Sequence, residues 1–264
     1  MPENDPASEN QIEGKFRIPP IKDLKKQAVD NSTPQIAKRI AEIEKDKTIE
    51  NKNKEKFKFG ATFEVLATEE NCLKHTETMQ QRQLRQLIEF MYSHAELILG
   101  TQWPSKPDGI SVIFDDKGHL IIDEIIEIKS SENAFDHGIN KQQPPKTIQT
   151  IGSIVTILNR LIAGEGTGKI KPANQDLSLD KRIKRDHLLK QVQEQIKKIV
   201  PIGEKITYSP DLIYKVIVPH GVEIPQFDPH FLEAFGYAVI MQIVESEFSK
   251  RDIHKIIDHC AETP

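Results

Sequence analysis

Two strand-like runs separated by a short turn constrain the fold of this chain more than any other feature. The first run covers residues 110–114, and the second covers residues 120–129 and is rich in isoleucine. Between them lie residues 115–118 (DDKG), a composition typical of tight turns, in which the glycine can adopt a positive φ. The pattern therefore predicts a β-hairpin.

Helical periodicity is found on both sides of this hairpin. Apolar residues recur at helical spacing from Leu84 to Ile98, and Gly100 stands where a helix end is expected. The remaining predicted elements are a helix over residues 148–161, an amphipathic basic helix over 180–199, a strand over 213–218, a largely apolar helix over 228–248 and a short helix over 251–260.

The order of these elements predicts an α/β fold, with a central mixed β-sheet flanked by helices. We expect residues 57–264 to form this domain, with a helical insertion at about 163–210. Residues 1–56 are expected to form an N-terminal extension, a flexible tail followed by a charged helix. That helix is expected to begin at Thr33, with Pro34 in its first turn.

Composition excludes some classes of protein. No apolar run is long enough to cross a bilayer, and the first ten residues lack the order of a secretory signal. The two cysteines, Cys72 and Cys260, lie far apart and outside any metal-binding spacing, so we expect a reducing, cytoplasmic setting. The net charge of −4 neither indicates nor excludes a nucleic-acid partner, because such a partner requires only a local basic surface.

Three charged residues converge at the open end of the predicted hairpin. Counting back from the turn places Asp108 opposite Ile125 or Ile126, so Asp108 and Glu127 reach the same end from adjacent strands. Glu127 and Lys129 are two positions apart and leave the same face. Two adjacent carboxylates on an apolar strand pair are costly unless a cation compensates them. The pattern therefore predicts a site for Mg²⁺ or Mn²⁺, since Mg²⁺ takes one or two carboxylates together with waters and phosphate oxygens.

The remaining polar groups near this end of the hairpin have expected roles of their own. Lys129 can orient or deprotonate an attacking water, and the carbonyl oxygen of Ile128 is a candidate further metal ligand. Asp123 has the parity of Glu127, so it is a candidate third acid or part of an open sheet edge. We expect it to be structural or to support the site from outside the ligand set. The alternative is that Asp108 caps a turn while Glu127 and Lys129 form an exposed ion pair.

Pro107-Asp108, followed after eighteen residues by Glu127-Ile128-Lys129, resembles the motif of the PD-(D/E)xK nuclease superfamily. In that family the aspartate lies near the start of one strand and the ExK segment lies on its hairpin neighbour. The resemblance implies that Asp108 and Glu127 bind the metal ion and that Lys129 is the catalytic lysine.

The same resemblance, which covers roughly residues 80–220, carries expectations about fold and function. It implies a restriction-endonuclease-like core that hydrolyses nucleic-acid phosphodiester bonds with Mg²⁺ or Mn²⁺, with DNA as substrate rather than RNA. It also implies an acidic residue from the preceding helix, for which Glu89 and Glu96 are candidates. Some branches carry a glutamine on the following helix, and Gln149 matches this only weakly because no aromatic residue follows at the usual spacing.

The predicted helix over residues 180–199 is the most basic stretch of the chain. Such a face is typical of a solvated helix surface, and it is also suited to contact with phosphates. Its candidate nucleic-acid-binding residues are Lys181, Arg182, Lys184 and Arg185.

Two other functions are weighed against the nuclease. The first is a non-catalytic interaction or assembly protein on a nuclease-like scaffold, acting as a homo-oligomer or in a larger complex. The apolar residues 228–248 would suit such an assembly. The second is a nucleotide-binding protein that uses the glycine-rich residues 163–170. That segment lacks the Ser or Thr that follows the lysine of a phosphate-binding loop, which favours an ordinary flexible loop.

Overall fold

The fold is given by a computed structural model of the chain. The residues it describes are 21–75, 77–100, 105–134, 143–172, 177–201, 203–224, 228–230, 232–233 and 236–262.

Seven helices and four strands account for most of the described residues. The helices are α1 (Ile21–Lys45), α2 (Asn51–Lys74), α3 (Met79–Ser93), α4 (Ala95–Leu99), α5 (Gln143–Ile162), α6 (Leu179–Ile199) and α7 (Lys250–Glu262). The strands are β1 (Gly109–Phe114), β2 (Leu120–Ile128), β3 (Thr207–His220) and β4 (Ile240–Ser249). A single 3₁₀ turn (Thr167–Lys169) lies between α5 and α6.

The four strands form one mixed sheet in the order β1-β2-β3-β4. β1 and β2 are antiparallel, as the predicted hairpin requires, whereas β2, β3 and β4 run parallel. At the turn the N–H of Asp115 donates to the carbonyl of His119, and Gly118 has a φ of +80°. The predicted α/β class, with a mixed sheet flanked by helices, is therefore confirmed.

Helices cover both faces of the sheet. On one face, helices α3 to α6 pack with Ile122 and Ile125 of β2 and with Tyr214 of β3. On the other face, α1, α2 and α7 pack with Ile126 and Ile217. The consecutive residues Ile125 and Ile126 thus belong to different cores, as the alternation of side chains along a strand requires.

The first helix begins at Ile21 rather than at Thr33, so the predicted flexible tail is wrong from Ile21 onward. Leu24 and Ala28, upstream of the predicted start, are buried, as are Ile36 and Ile40 further along the helix. Pro34 lies inside α1, at an exposed position, rather than in its first turn. α1 packs against α2 and α7, so residues 21–56 pack with the rest of the fold. Residues 1–20 of the predicted tail lie outside the described residues.

The predicted apolar helix over residues 228–248 is wrong, because its second half forms strand β4. An uninterrupted apolar run is compatible either with a buried helix or with a strand covered on both faces, and periodicity alone does not separate them. Here Met241 packs with the α5 side and Phe248 with the α7 side. Parallel pairing with β3, a contact distant in sequence, decides the outcome. Among the described helices, none is both long and apolar enough to span a membrane.

Candidate active site

The hairpin brings Asp108 beside Glu127. Gly109 lies opposite Ile126, and the N–H of Asp108 donates to the carbonyl of Ile126 at 2.9 Å. The predicted neighbours of Asp108 were Ile125 and Ile126, and its main-chain hydrogen bond goes to Ile126. Strand β2 has an extra residue, Asp123, where its register with β1 shifts.

The same irregularity removes the parity argument for Asp123. Ile122 and Ile125 belong to the same core although they are three positions apart. The alternation of side chains along β2 therefore does not show that Asp123 and Glu127 lie on the same face of the sheet. The expectation that Asp123 lies outside the ligand set stays a prediction.

The carboxylate of Asp108 is fixed by the main chain of the neighbouring strand. The N–H of Ile128 donates to Oδ2 of Asp108 at 2.6 Å. A proline precedes Asp108 in the chain and cannot donate a ladder hydrogen bond. The side chain of Asp108 thus takes up a main-chain donor at the end of β2.

Glu127 is the most enclosed charged group of the site, and it is 2% exposed. Its Oε1 accepts hydrogen bonds from Nζ of Lys129 and from Nε2 of Gln143, each at 2.5 Å. Its Oε2 accepts from the hydroxyl of Tyr214 at 3.3 Å. Lys129 Nζ also lies 3.4 Å from Oε1 of Gln143, so lysine, glutamate and glutamine form a closed triangle. The predicted alternative of an exposed Glu127–Lys129 pair does not fit this burial.

The two carboxylates raise the free energy of each other's charged state. Asp108 borders open solvent, yet protein atoms crowd its carboxylate. This loss of solvation, together with the charge of Glu127, raises the pKa of Asp108 to about 7. Burial also raises the pKa of Glu127, against the lowering effect of Lys129. Both shifts disfavour the doubly ionised pair, which is the state that a divalent cation would stabilise.

The two candidates for an acid from the preceding helix, Glu89 and Glu96, have different positions. Glu89 on α3 pairs with Arg85 at 2.9 Å and lines a small recess together with Asp108. Glu96 on α4 is exposed and does not line this recess. A third acid, Glu64 on α2, was not predicted, although its charge contributes to the raised pKa of Asp108.

The recess beside Asp108 lies between α2, α3 and the hairpin and has a volume of about 40 Å³. Arg85 lines the recess and donates hydrogen bonds to both carboxylate oxygens of Glu77 and to Oε1 of Glu89. Cys72 and His75 of the α2 end also line it, whereas Glu127 and Lys129 do not. A volume of this size holds a few waters or an ion next to Asp108 and is too small for a large ligand.

The glutamine that contacts the site is Gln143, the first residue of α5, and not the predicted Gln149. Gln149 is exposed on α5, and no contact joins it to Glu127 or Lys129. Sequence reasoning missed Gln143 because it stands directly before Pro144-Pro145, outside the periodic apolar face.

The predicted basic surface consists of three exposed residues rather than four. Lys181, Arg182 and Lys184 are exposed on α6. Arg185 is only 4% exposed, and its Nε donates to the carbonyl of Ile98 at 2.9 Å. Helical geometry turns Arg185 inward, because it lies four residues before the buried Leu189.

Within the described part of the chain, no group of three or more His, Cys, Asp and Glu side chains is placed to hold a metal ion. The candidate centre offers two carboxylates, which is a number that Mg²⁺ accepts when waters and phosphate oxygens complete its shell. Searches against protein-family models, curated proteins and solved structures found no match for this chain. The geometry and the motif resemblance are therefore the grounds for a functional proposal.

Proposed function

We propose that this chain is a metal-dependent nuclease that hydrolyses nucleic-acid phosphodiester bonds at Asp108, Glu127 and Lys129. The observation that carries the proposal is the arrangement of Glu127. The buried carboxylate of Glu127 lies beside the carboxylate of Asp108, whose pKa is raised. Lys129 and Gln143 both contact Glu127, each at 2.5 Å.

Removing the carboxylates of Asp108 and Glu127 from water costs free energy, so such an arrangement is expected where these groups have a function. A surface ion pair would avoid the loss of solvation that raises the pKa of both acids. Perturbed acids that cluster with a lysine are common at catalytic centres, although structural networks also perturb pKa values. The four-stranded mixed sheet is compatible with the restriction-endonuclease-like core that the motif implies, and we include that core in the proposal.

Each residue has a role in the proposed reaction. Asp108 and Glu127 would hold Mg²⁺ or Mn²⁺, with the carbonyl oxygen of Ile128 as a further ligand. The bound ion would supply Lewis-acid stabilisation of the charge that develops on the phosphate. Lys129 would orient or deprotonate the attacking water, and Gln143 would hold the lysine and Glu127 at fixed separation.

Substrate contact is proposed for the exposed basic face of α6, namely Lys181, Arg182 and Lys184. Cations on a helix surface bind backbone phosphates without reading sequence. The motif resemblance favours DNA over RNA as the substrate.

The experiment is a cleavage assay on DNA and on RNA, with Mg²⁺, with Mn²⁺ and with EDTA. Wild type is compared with Asp108→Asn and Lys129→Met, and Lys117→Ala at the hairpin turn is the matched control. We expect metal-dependent cleavage by wild type and by the control, and a loss of at least about a hundredfold in the two site variants. Equal activity in all four proteins would refute the assignment, and no cleavage by wild type would refute the nuclease itself.

A further inference from the structure

The two carboxylate oxygens of Glu127 are bound in different ways. Oε1 accepts hydrogen bonds from Nζ of Lys129 and from Nε2 of Gln143, each at 2.5 Å. Oε2 accepts one hydrogen bond from the described residues, from the hydroxyl of Tyr214 at 3.3 Å. A carboxylate oxygen has about two lone pairs to offer, so the two nitrogen donors fill Oε1, whereas Oε2 keeps a lone pair for another partner.

Tyr214 is held firmly beside Oε2. It lies on β3, opposite Ile125 of β2, and its side chain is fully buried in the core that α5 covers. Burial and the charge of Glu127 raise the pKa of Tyr214 well above its usual range, whereas a hydrogen bond with Thr147 acts in the opposite direction. The hydroxyl of Tyr214 thus lies between Glu127 and Thr147, and the close packing of its ring leaves it little freedom to move away.

Thr147 continues a chain of hydroxyl groups toward the segment that carries Asp108. It is fully buried on α5, and its Oγ1 lies 2.8 Å from Oγ of Ser105. Ser105 precedes Asp108 by three residues. The hydroxyls of Tyr214, Thr147 and Ser105 therefore connect β3, α5 and the approach to the second proposed metal ligand.

Helix α5 acts on both oxygens of Glu127. Gln143 and Thr147 are four residues apart, about one helical turn, so their side chains leave the same side of α5. Gln143 reaches Oε1 directly, and Thr147 acts on Oε2 through the hydroxyl of Tyr214. The orientation of the carboxylate is thus set from two points of one helix.

We propose that Tyr214 is a positioning residue that presents Oε2 of Glu127 as the one oxygen through which this side chain binds the metal ion, with Thr147 supporting the hydroxyl. The inference rests on the proposed function, because it assigns an orientation to one of the proposed metal ligands. Carboxylates that bind metal ions are themselves held by hydrogen bonds, and these contacts raise metal affinity. With Oε1 filled by nitrogen donors, Glu127 binds through a single oxygen, which leaves positions around Mg²⁺ for water and phosphate oxygens.

The test is calorimetric binding of Mn²⁺ to the full chain in the absence of nucleic acid. Tyr214→Phe removes the hydroxyl and keeps the ring that packs in the core. Tyr208→Phe is the matched control, since it removes a hydroxyl from another tyrosine of β3 that none of the described contacts joins to Glu127. Thermal unfolding of each variant in EDTA reports separately on the fold.

We expect Tyr214→Phe to weaken Mn²⁺ binding roughly tenfold, at the lower end of the range for partners of metal ligands, because a contact of 3.3 Å is long for a hydroxyl donor. Thr147→Val should cause a smaller loss, since it acts through Tyr214, and Tyr208→Phe should bind like wild type. Cleavage by Tyr214→Phe should be low at limiting Mn²⁺ and should recover at saturating Mn²⁺, because Lys129 is unchanged.

The possible failures are distinguishable from one another. Equal Mn²⁺ affinity in wild type and Tyr214→Phe overturns the role of Tyr214 and leaves the nuclease proposal standing. Equal losses in Tyr214→Phe and Tyr208→Phe overturn it as well, because they indicate a general effect on β3. Cleavage by Tyr214→Phe that saturating Mn²⁺ does not restore also contradicts a role in metal binding. An absence of Mn²⁺ binding by wild type overturns the metal site itself and this inference with it.

Discussion

Gln143, the first residue of α5, donates from its Nε2 to Oε1 of Glu127 at 2.5 Å, and its own Oε1 lies 3.4 Å from Nζ of Lys129. One amide thus contacts the acid and the base of the proposed site at once. Gln143 thus links the end of β2 to the start of α5, which packs on the face of the sheet that carries Ile125 and Tyr214.

Replacing Gln143 with alanine is expected to lower metal-dependent cleavage by about ten- to a hundredfold, the range found when partners of metal ligands are removed. The reason is that Glu127 and Lys129 lose the group that fixes their separation. Gln149→Ala, on the exposed side of the same helix, is the control and should retain nearly full activity. Equal activity in the two variants would show that the Gln143 contacts are incidental.

The raised pKa of Asp108 predicts the pH dependence of stability in the metal-free protein. Its folded pKa of about 7 lies above the ordinary value of 3.8. Between these values the folded state holds a proton that the unfolded state has released, so stability falls as pH rises from about 4 to about 7. We expect wild type in EDTA to lose melting temperature across this window relative to Asp108→Asn. Parallel curves for the two proteins would mean that Asp108 titrates normally.

Local pattern was sufficient to place Asp108, Glu127 and Lys129 together, because a hairpin with a tight turn sets which residues meet at its open end. It did not give the register, since the extra residue Asp123 leaves no mark in an isoleucine-rich run. Gln143 was beyond prediction because it reaches the site only through the docking of α5 on the sheet.

The two largest errors in the fold have the same origin. The sequence pattern predicts a helix at β4 and a tail over the first part of α1, because both elements are defined by contacts distant in sequence. β4 pairs with β3 across a long connection, and α1 buries its few apolar side chains against α2 and α7. Periodicity records which side chains are apolar and does not record what they pack against.

A second buried ion pair, on the opposite face of the sheet, is expected to stabilise the fold without affecting catalysis. Nζ of Lys215 lies 2.5 Å from Oε1 of Glu124, and the two side chains are 11% and 10% exposed. Lys215→Met leaves a buried carboxylate unpaired and is expected to reduce the free energy of unfolding by roughly 3–5 kcal/mol in urea titrations.

The control for this pair is Lys52→Met, which breaks the exposed pair with Glu50 and should cost less than about 1 kcal/mol. The double variant Glu124→Gln/Lys215→Met should be more stable than the sum of the two single changes implies, because no charge is left unpaired. Additive losses would show that the two side chains are not coupled.

Truncation tests whether residues 21–56 are an extension or part of the core. A chain that begins at Phe57 lacks α1, and with it the buried side chains of Leu24, Ile36 and Ile40. At about 1.5–3 kcal/mol for each buried side chain, the loss approaches the whole stability of an ordinary domain, about 5–15 kcal/mol. We therefore expect no cooperative thermal transition from residues 57–264, whereas a chain that begins at Ile21 keeps every described element and should melt cooperatively. A cooperative transition at an unchanged temperature in the shorter chain would show instead that the sheet and its remaining helices fold without α1.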